Sequence, residues 1–134
     1  MNTGKPLPPI TPESKPYWDG CNEGRLMLQR CNGCAHWQFY PRLLCSACGS
    51  RDLAWASASG RGSVRTFTIV RRAVSSAFDA DVPYVVALIG LEEGPTMMSN
   101  VVQCDAEAVR IGMPVTVCFE QRTDTVAVPQ FRPT

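Results

Sequence analysis

The chain has 134 residues, 13 Lys and Arg against 12 Asp and Glu, a formal net charge of +1, and 45% hydrophobic residues. That is the composition of one medium soluble domain or of two small modules sharing a core. The balanced charge gives no long-range field for a polyanion, so a mainly electrostatic nucleic-acid binder is not expected, and no stretch approaches the roughly 18 uncharged apolar residues of a membrane span. Met1–Ile10 shows no apolar region of secretory type, so a cytoplasmic location is expected. Disulfides are rare there, and seven cysteines in such a chain ask for a metal.

Residues 1–24 read as an extended arm and a short helix. Pro6, Pro8, Pro9 and Pro12 keep the arm irregular, and Ser14 stands where it can cap a helix over about 15–23, with Pro16 in the first turn. Tyr17 and Cys21 fall on one face beside Trp18, and Gly24 supplies a stop. The aromatic face of this helix docks either on its own domain or on a partner, which makes Tyr17 and Trp18 candidate docking residues.

Residues 25–56 carry the strongest signal. Cys31-Asn-Gly-Cys34 and Cys45-Ser-Ala-Cys48 are two CxxC pairs separated by ten residues. Each pair presents two thiolates from one tight knuckle, and two knuckles together make a closed tetrahedral S4 site of the kind zinc takes in structural roles. Leu26 and Leu28 before the first knuckle, with Trp37 and Phe39 after it, alternate as a small hairpin does: the layout of a zinc ribbon. Iron offers a second occupant for the same ligands. His36 is the only histidine and is read as a hairpin residue rather than a ligand. With no second histidine and no phosphate-binding glycine loop, no catalytic constellation is visible.

From residue 57 to 134 the pattern is strand. Val64–Arg71 alternates, Tyr84–Leu91 is a nearly continuous apolar run expected to be buried on both sides, and Met97–Val102, Val115–Phe119 and Val126–Val128 follow. Five short strands with turn signals between them predict a small closed barrel, with one helical turn in Asp105–Ile111. The stretch from Leu53 to Phe78 contains no carboxylate and carries Arg61, Arg65, Arg71 and Arg72. Simple alternation places Arg65 and Arg71 beside Phe67 on one face, with Phe78 nearby. Such a strip suits phosphate and a stacking base; it equally suits a solvated face paired with Glu92, Glu93 or Asp124.

The ordered set of features resembles the family of small proteins in which a rubredoxin-like zinc ribbon precedes an OB-fold. The residues that carry the resemblance are Pro16-Tyr17-Trp18, Gly24-Arg25-Leu26, the two CxxC pairs with Tyr40-Pro41-Arg42 between them, Gly60-Arg61-Gly62-Ser63-Val64, Pro83-Tyr84-Val85-Val86-Ala87, Gly112-Met113-Pro114-Val115 and Val128-Pro129-Gln130-Phe131-Arg132-Pro133. The resemblance implies a mainly β protein with an N-terminal helical segment, a zinc ribbon and a five-stranded OB-fold barrel. It further implies a non-catalytic accessory subunit of a thiolase-fold acyltransferase, an aldolase or an acyl-CoA hydratase, assembled as α2β2 and helping to hold acyl-CoA. On that reading Arg61, Arg65, Phe67, Arg71, Arg72 and Phe78 contact CoA or the partner. The alternative is a module binding single-stranded nucleic acid, against which stand the net charge and the scarcity of lysine.

Overall fold

The computed structural model describes residues 4–134; the first three residues of the expected arm lie outside them. Among the described residues no helix is long and apolar enough to cross a membrane. Helix α1 spans Lys15–Asn22. Ser14 stands at its N-cap, but the hydroxyl does not cap the first turn. Instead it accepts the Thr11 N–H at 3.0 Å, tying the helix to the arm. The helix ends in a Schellman arrangement: the Arg25 N–H reaches the Gly20 carbonyl at 2.8 Å, the Gly24 N–H reaches that of Cys21 at 3.2 Å, and Gly24 takes the left-handed φ of 74° that such a cap requires.

A three-stranded antiparallel sheet follows, formed by β1 (Met27–Cys31), β2 (Trp37–Gln38) and β3 (Leu53–Ser57) in the order β2-β1-β3. The remaining strands are β4 (Arg61–Val70), β5 (Tyr84–Leu91), β6 (Thr96–Val101), β7 (Pro114–Gln121) and β8 (Ala127–Pro133). They close into a barrel of order β4-β5-β6-β8-β7, antiparallel except between β6 and β8. One-turn 3₁₀ helices at Ser76–Phe78 and Ala106–Ala108 bridge β4 to β5 and β6 to β7.

The barrel interior is filled by Val64, Val85, Ala87, Ile89, Val101, Val115 and Phe131, all under 5% exposed, and this core continues without a break to Leu26 and Leu28 of the ribbon and to Tyr17 of α1. Two expectations change here. Strand β5 is buried on one face only: Val85, Ala87, Ile89 and Leu91 are covered while the residues between them are half exposed. A closed barrel lined by one face needs no second layer over that strand. The alternation of β4 is also interrupted. Val64 pairs Ile89 and Thr66 pairs Leu88, so Arg65 is the extra residue of a β-bulge. The bulge resets the period, leaving Val64 buried, Phe67 and Ile69 packed on the core, and Arg65 outside. Just before it, β4 and β5 approach so closely that a Cβ at Gly62 would lie 2.6 Å from the Gly90 carbonyl oxygen. Only glycine fits there.

Candidate metal centre and interaction surface

The hairpin of β1 and β2 brings the first knuckle to the end of β1, and Cys45 and Cys48 close over it from the following loop. The four Sγ atoms of Cys31, Cys34, Cys45 and Cys48 lie within 4.8 Å of one another. Cys31 to Cys48 and Cys34 to Cys45 are each 3.6 Å, too long for a disulfide. A tetrahedron with metal–sulfur bonds of about 2.3 Å has sulfur–sulfur edges of about 3.8 Å, so the set has the size of a tetrathiolate zinc site. Backbone donors point inward: the Cys34 N–H lies 3.4 Å from the Cys31 sulfur and the Ala47 N–H 3.4 Å from that of Cys45. The charges tell the same story. The Cys48 backbone N–H, aided by that of Ala47, holds Cys45 down at about 6, and the Cys34 N–H lowers Cys31. The His36 N–H pulls on Cys34, yet desolvation and the three neighbouring sulfurs outweigh it and hold that thiol at about 12. Four sulfurs this close do not all ionise unless a cation joins them. His36 is not among the ligands; its ring faces the Ser46 hydroxyl at 3.2 Å. With four protein ligands no position is left open for water, so a metal here is structural.

The arginine strip is not one surface. Arg61 and Arg71 stand at opposite ends of a ten-residue strand, about 33 Å apart at about 3.3 Å per residue. Arg61 forms a two-point ion pair with Glu92 at 2.9 and 3.1 Å. Arg71 pairs with Glu107, and Arg72 is exposed beyond the strand end. Arg65 folds over Gly90, where a Cβ would sit 2.3 Å from its Nε. Phe67 packs on the core, and Phe78 lies at the Arg71 end of β4, against Tyr84, which pairs with Val70; the two ring centroids are 6.1 Å apart. The helix aromatics are also used internally. Tyr17 is 2% exposed and Trp18 8%; Tyr17 packs edge-on to Phe39 and Tyr40, and the Trp18 indole N–H reaches the Tyr40 hydroxyl at 3.3 Å. As free docking residues they are therefore corrected: they fasten the helix to the ribbon.

Two features escaped the sequence. One is a cavity of about 260 Å³ at the barrel mouth, between Phe78, Tyr84, Gln103, Glu120 and Arg122. Arg122 is buried there and paired with Glu120, and the Lys5 ammonium closes the opening 2.7 Å from Asp81. The other is a buried pair of glutamines beneath the loop between the knuckles, Gln29 and Gln38. The cavity is made by chain returning over large sequence distances, whereas the glutamines face each other across the β1–β2 hairpin and the loop between the knuckles folds onto them.

Residues 18–54 match the model of the ChsH2 rubredoxin-like zinc ribbon domain, and residues 55–120 match the ChsH2 C-terminal OB-fold domain. The chain belongs to this zinc-ribbon and OB-fold family. It is 36% identical over 113 residues to a DUF35 domain-containing scaffold protein of Pyrococcus furiosus, covering 84% of this chain and 78% of the relative. It is 32% identical over 129 residues to a probable enoyl-CoA hydratase alpha subunit of Thermomonospora curvata, covering 96% of this chain but 40% of that protein, so it spans less than half of the hydratase subunit. Among solved structures, the family fold superposes on a chain of the Ltp2-ChsH2(DUF35) aldolase with a TM-score of 0.84 at 32% identity, covering 94% of this chain and 98% of that one. The β4-β5-β6-β8-β7 barrel is thus an OB-fold and the four-cysteine lobe a rubredoxin-like ribbon.

Proposed function

We propose that the chain is an accessory subunit, without chemistry of its own, of an enzyme that processes acyl-CoA thioesters. The observation that carries this reading is the near end-to-end likeness to the DUF35 chain of an aldolase complex, joined to a metal site with no open coordination position. Relatives bearing the names of a scaffold protein and of hydratase alpha subunits support the same class of partner. The resident metal is zinc. The partner is a thiolase-fold, aldolase or hydratase subunit in the cytoplasm, and the assembly is α2β2, one copy of this chain for each catalytic subunit. Acyl-CoA binds in that assembly. Since the arginines are divided between two ends of β4, at most one pair serves CoA phosphates, and Arg65, which has no carboxylate partner among the described residues, is the first choice.

The test is affinity capture of the tagged chain from its native cytoplasm at moderate salt, with mass-spectrometric identification and light scattering of the product. An acyl-CoA enzyme at one-to-one stoichiometry in a four-chain particle is the expected result. Recovery of RNA or DNA with no such enzyme would overturn the reading.

A further inference from the structure

The loop between the two knuckles exposes apolar side chains while its backbone is fixed from below. Leu43 is 67% exposed and Leu44 43%, adjacent leucines that the described residues leave largely uncovered. Gln29 and Gln38 are each 4% exposed. The Gln29 side chain accepts the Arg42 N–H at 2.8 Å through its oxygen and donates to the Arg42 carbonyl at 2.8 Å through its nitrogen. Gln38 accepts the Ser46 N–H at 2.9 Å and donates to the Gln29 oxygen at 2.8 Å. Buried amides are costly unless bonded, and these two are bonded to the backbone on either side of Leu43-Leu44. The loop is therefore held in one conformation before anything binds to it.

The charge between Glu23 and Asp52 is basic only, and Asp52 itself is held by the Asn32 amide at 2.9 Å. From Gly24 to Arg51 the chain has no Asp or Glu but carries Arg25, Arg30, Arg42 and Arg51. Arg25 pairs with Glu23, and Arg30 lies over the Trp37 ring at 5.8 Å. Arg42 and Arg51 are exposed and have no ion pair among the described residues. Apolar anchors beside unpaired guanidinium groups, on a backbone that loses little freedom on docking, have the composition of an interface core with its rim.

We propose that this knuckle loop is the surface that docks the enzyme partner. Leu43 and Leu44 enter an apolar pocket on the partner, and carboxylates at the pocket rim receive Arg42 and Arg51. The inference rests on the accessory-subunit reading and adds to it the face used and the chemistry of the complementary surface. The rival apolar face lies outside the barrel, around Val86, Leu88 and Met98, the last 67% exposed. It is bordered by Thr66 and Thr68 and has no cation in its lining, so it lacks the charge pairing that would select a partner.

The experiment takes the enzyme captured by the wild-type chain, purifies it, and titrates it calorimetrically with four zinc-loaded chains: wild type, the Leu43→Asp/Leu44→Asp double variant, Arg42→Glu and Met98→Asp. Circular dichroism and zinc content confirm that each is folded. The double variant should bind at least about 100-fold more weakly, as expected for central anchors. Arg42→Glu should lose about tenfold and flatten the salt dependence, and Met98→Asp should match wild type. Unchanged affinity of the double variant, or loss confined to Met98→Asp, would place the partner elsewhere and overturn the proposal while leaving the accessory role intact. A wild-type chain that captures no acyl-CoA enzyme would remove the accessory role and the docking loop with it.

Discussion

The ribbon and the barrel share one continuous core, yet they are held together by different means. The barrel closes its sheet on itself, so its strands have partners on both sides, and its inward faces supply Ile89, Val115 and Phe131, all fully buried. The ribbon has three short strands, one of them two residues long, and of its apolar side chains only Leu26 and Leu28 are fully buried. Beyond its share of that core it has four convergent sulfurs and two buried glutamines. The contrast shows what a lobe too small for a hydrophobic core must use instead: a metal cross-link and saturated amides, which fix the backbone while leaving apolar side chains such as Leu43 free to face outward.

The strongest way to break the comparison is to remove the metal. Chelation, or Cys45→Ser, should unfold the ribbon from Met27 to Ser57 while β4 to β8 keep their strand signal. Zinc content by atomic emission, limited proteolysis and amide-resolved NMR would report the two lobes separately. A ribbon that stays protected from protease after the metal is gone would contradict the assignment of a structural ion. The converse experiment attacks the barrel. Phe131 is 0% exposed in β8, and Phe131→Ala should cost about 3–5 kcal/mol and lower the thermal midpoint by about 10–18 °C, with the metal still bound.

A smaller effect separates the amides from the metal. Gln38→Leu removes the acceptor of the Ser46 N–H and leaves the buried Gln29 oxygen with one donor fewer. The loss should be about 1–3 kcal/mol by chemical denaturation, with the four sulfurs still binding metal. Exchange of the Ser46 and Arg42 amides should accelerate while barrel amides are unaffected.

How much of this was legible depended on how local the determinant was. The two CxxC pairs are local, because four ligands at that spacing have few other uses, and the structure brings those same sulfurs together. The first four barrel strands were legible from alternation and turns, to within a few residues at their ends, whereas the last was read as Val126–Val128 and in fact runs to Pro133, with two prolines that masked its length. The bulge at Arg65 was not, because a single inserted residue leaves the polar-apolar pattern of β4 looking regular. One cue was present: Val64 and Phe67 are both strongly apolar at a spacing of three, which a regular strand cannot bury on one side. Arg71 with Glu107, and Gln29 with Arg42, are fixed by tertiary return of the chain, and no spacing rule reaches them. The helix aromatics illustrate the same limit. Residue type alone does not say whether Tyr17 and Trp18 face a partner or Tyr40 of their own chain.

That seam between helix and ribbon can be probed by pH. Burial raises the Tyr17 phenol well above its ordinary value near 10, with Cys21 and Tyr40 adding to the shift. Because the folded value exceeds the unfolded one, the stabilisation is complete below pH 10. It is lost as the pH rises past 10 toward the folded value, at up to about 1.4 kcal/mol per pH unit. Denaturation curves at pH 9, 10 and 11 should show this slope for wild type and a shallower one for Tyr17→Phe. Equal slopes would mean that Tyr17 ionises freely and that the helix does not seal the ribbon at this point.

The smallest expected effect concerns the barrel surface, where the comparison is sharpest. Arg61 and Glu92 make the best-formed exposed ion pair among the described residues, with two hydrogen bonds between adjacent strand ends. Both side chains are more than half exposed, so water screens the attraction and already solvates each charge. Arg61→Ala should therefore leave the thermal midpoint within error, and 1 M salt should do the same to wild type. A measurable loss would show that barrel closure alone is insufficient and that β4 and β5 also need a charge clasp where Gly62 brings them together. In the ribbon the analogous test gives the opposite expectation. Arg42 has no carboxylate partner among the described residues, so its replacement should leave the isolated protein's stability unchanged and register only when a partner is present. An arginine paired within the chain and one left unpaired thus differ in where their charge acts, and a stability curve set beside a binding curve separates the two.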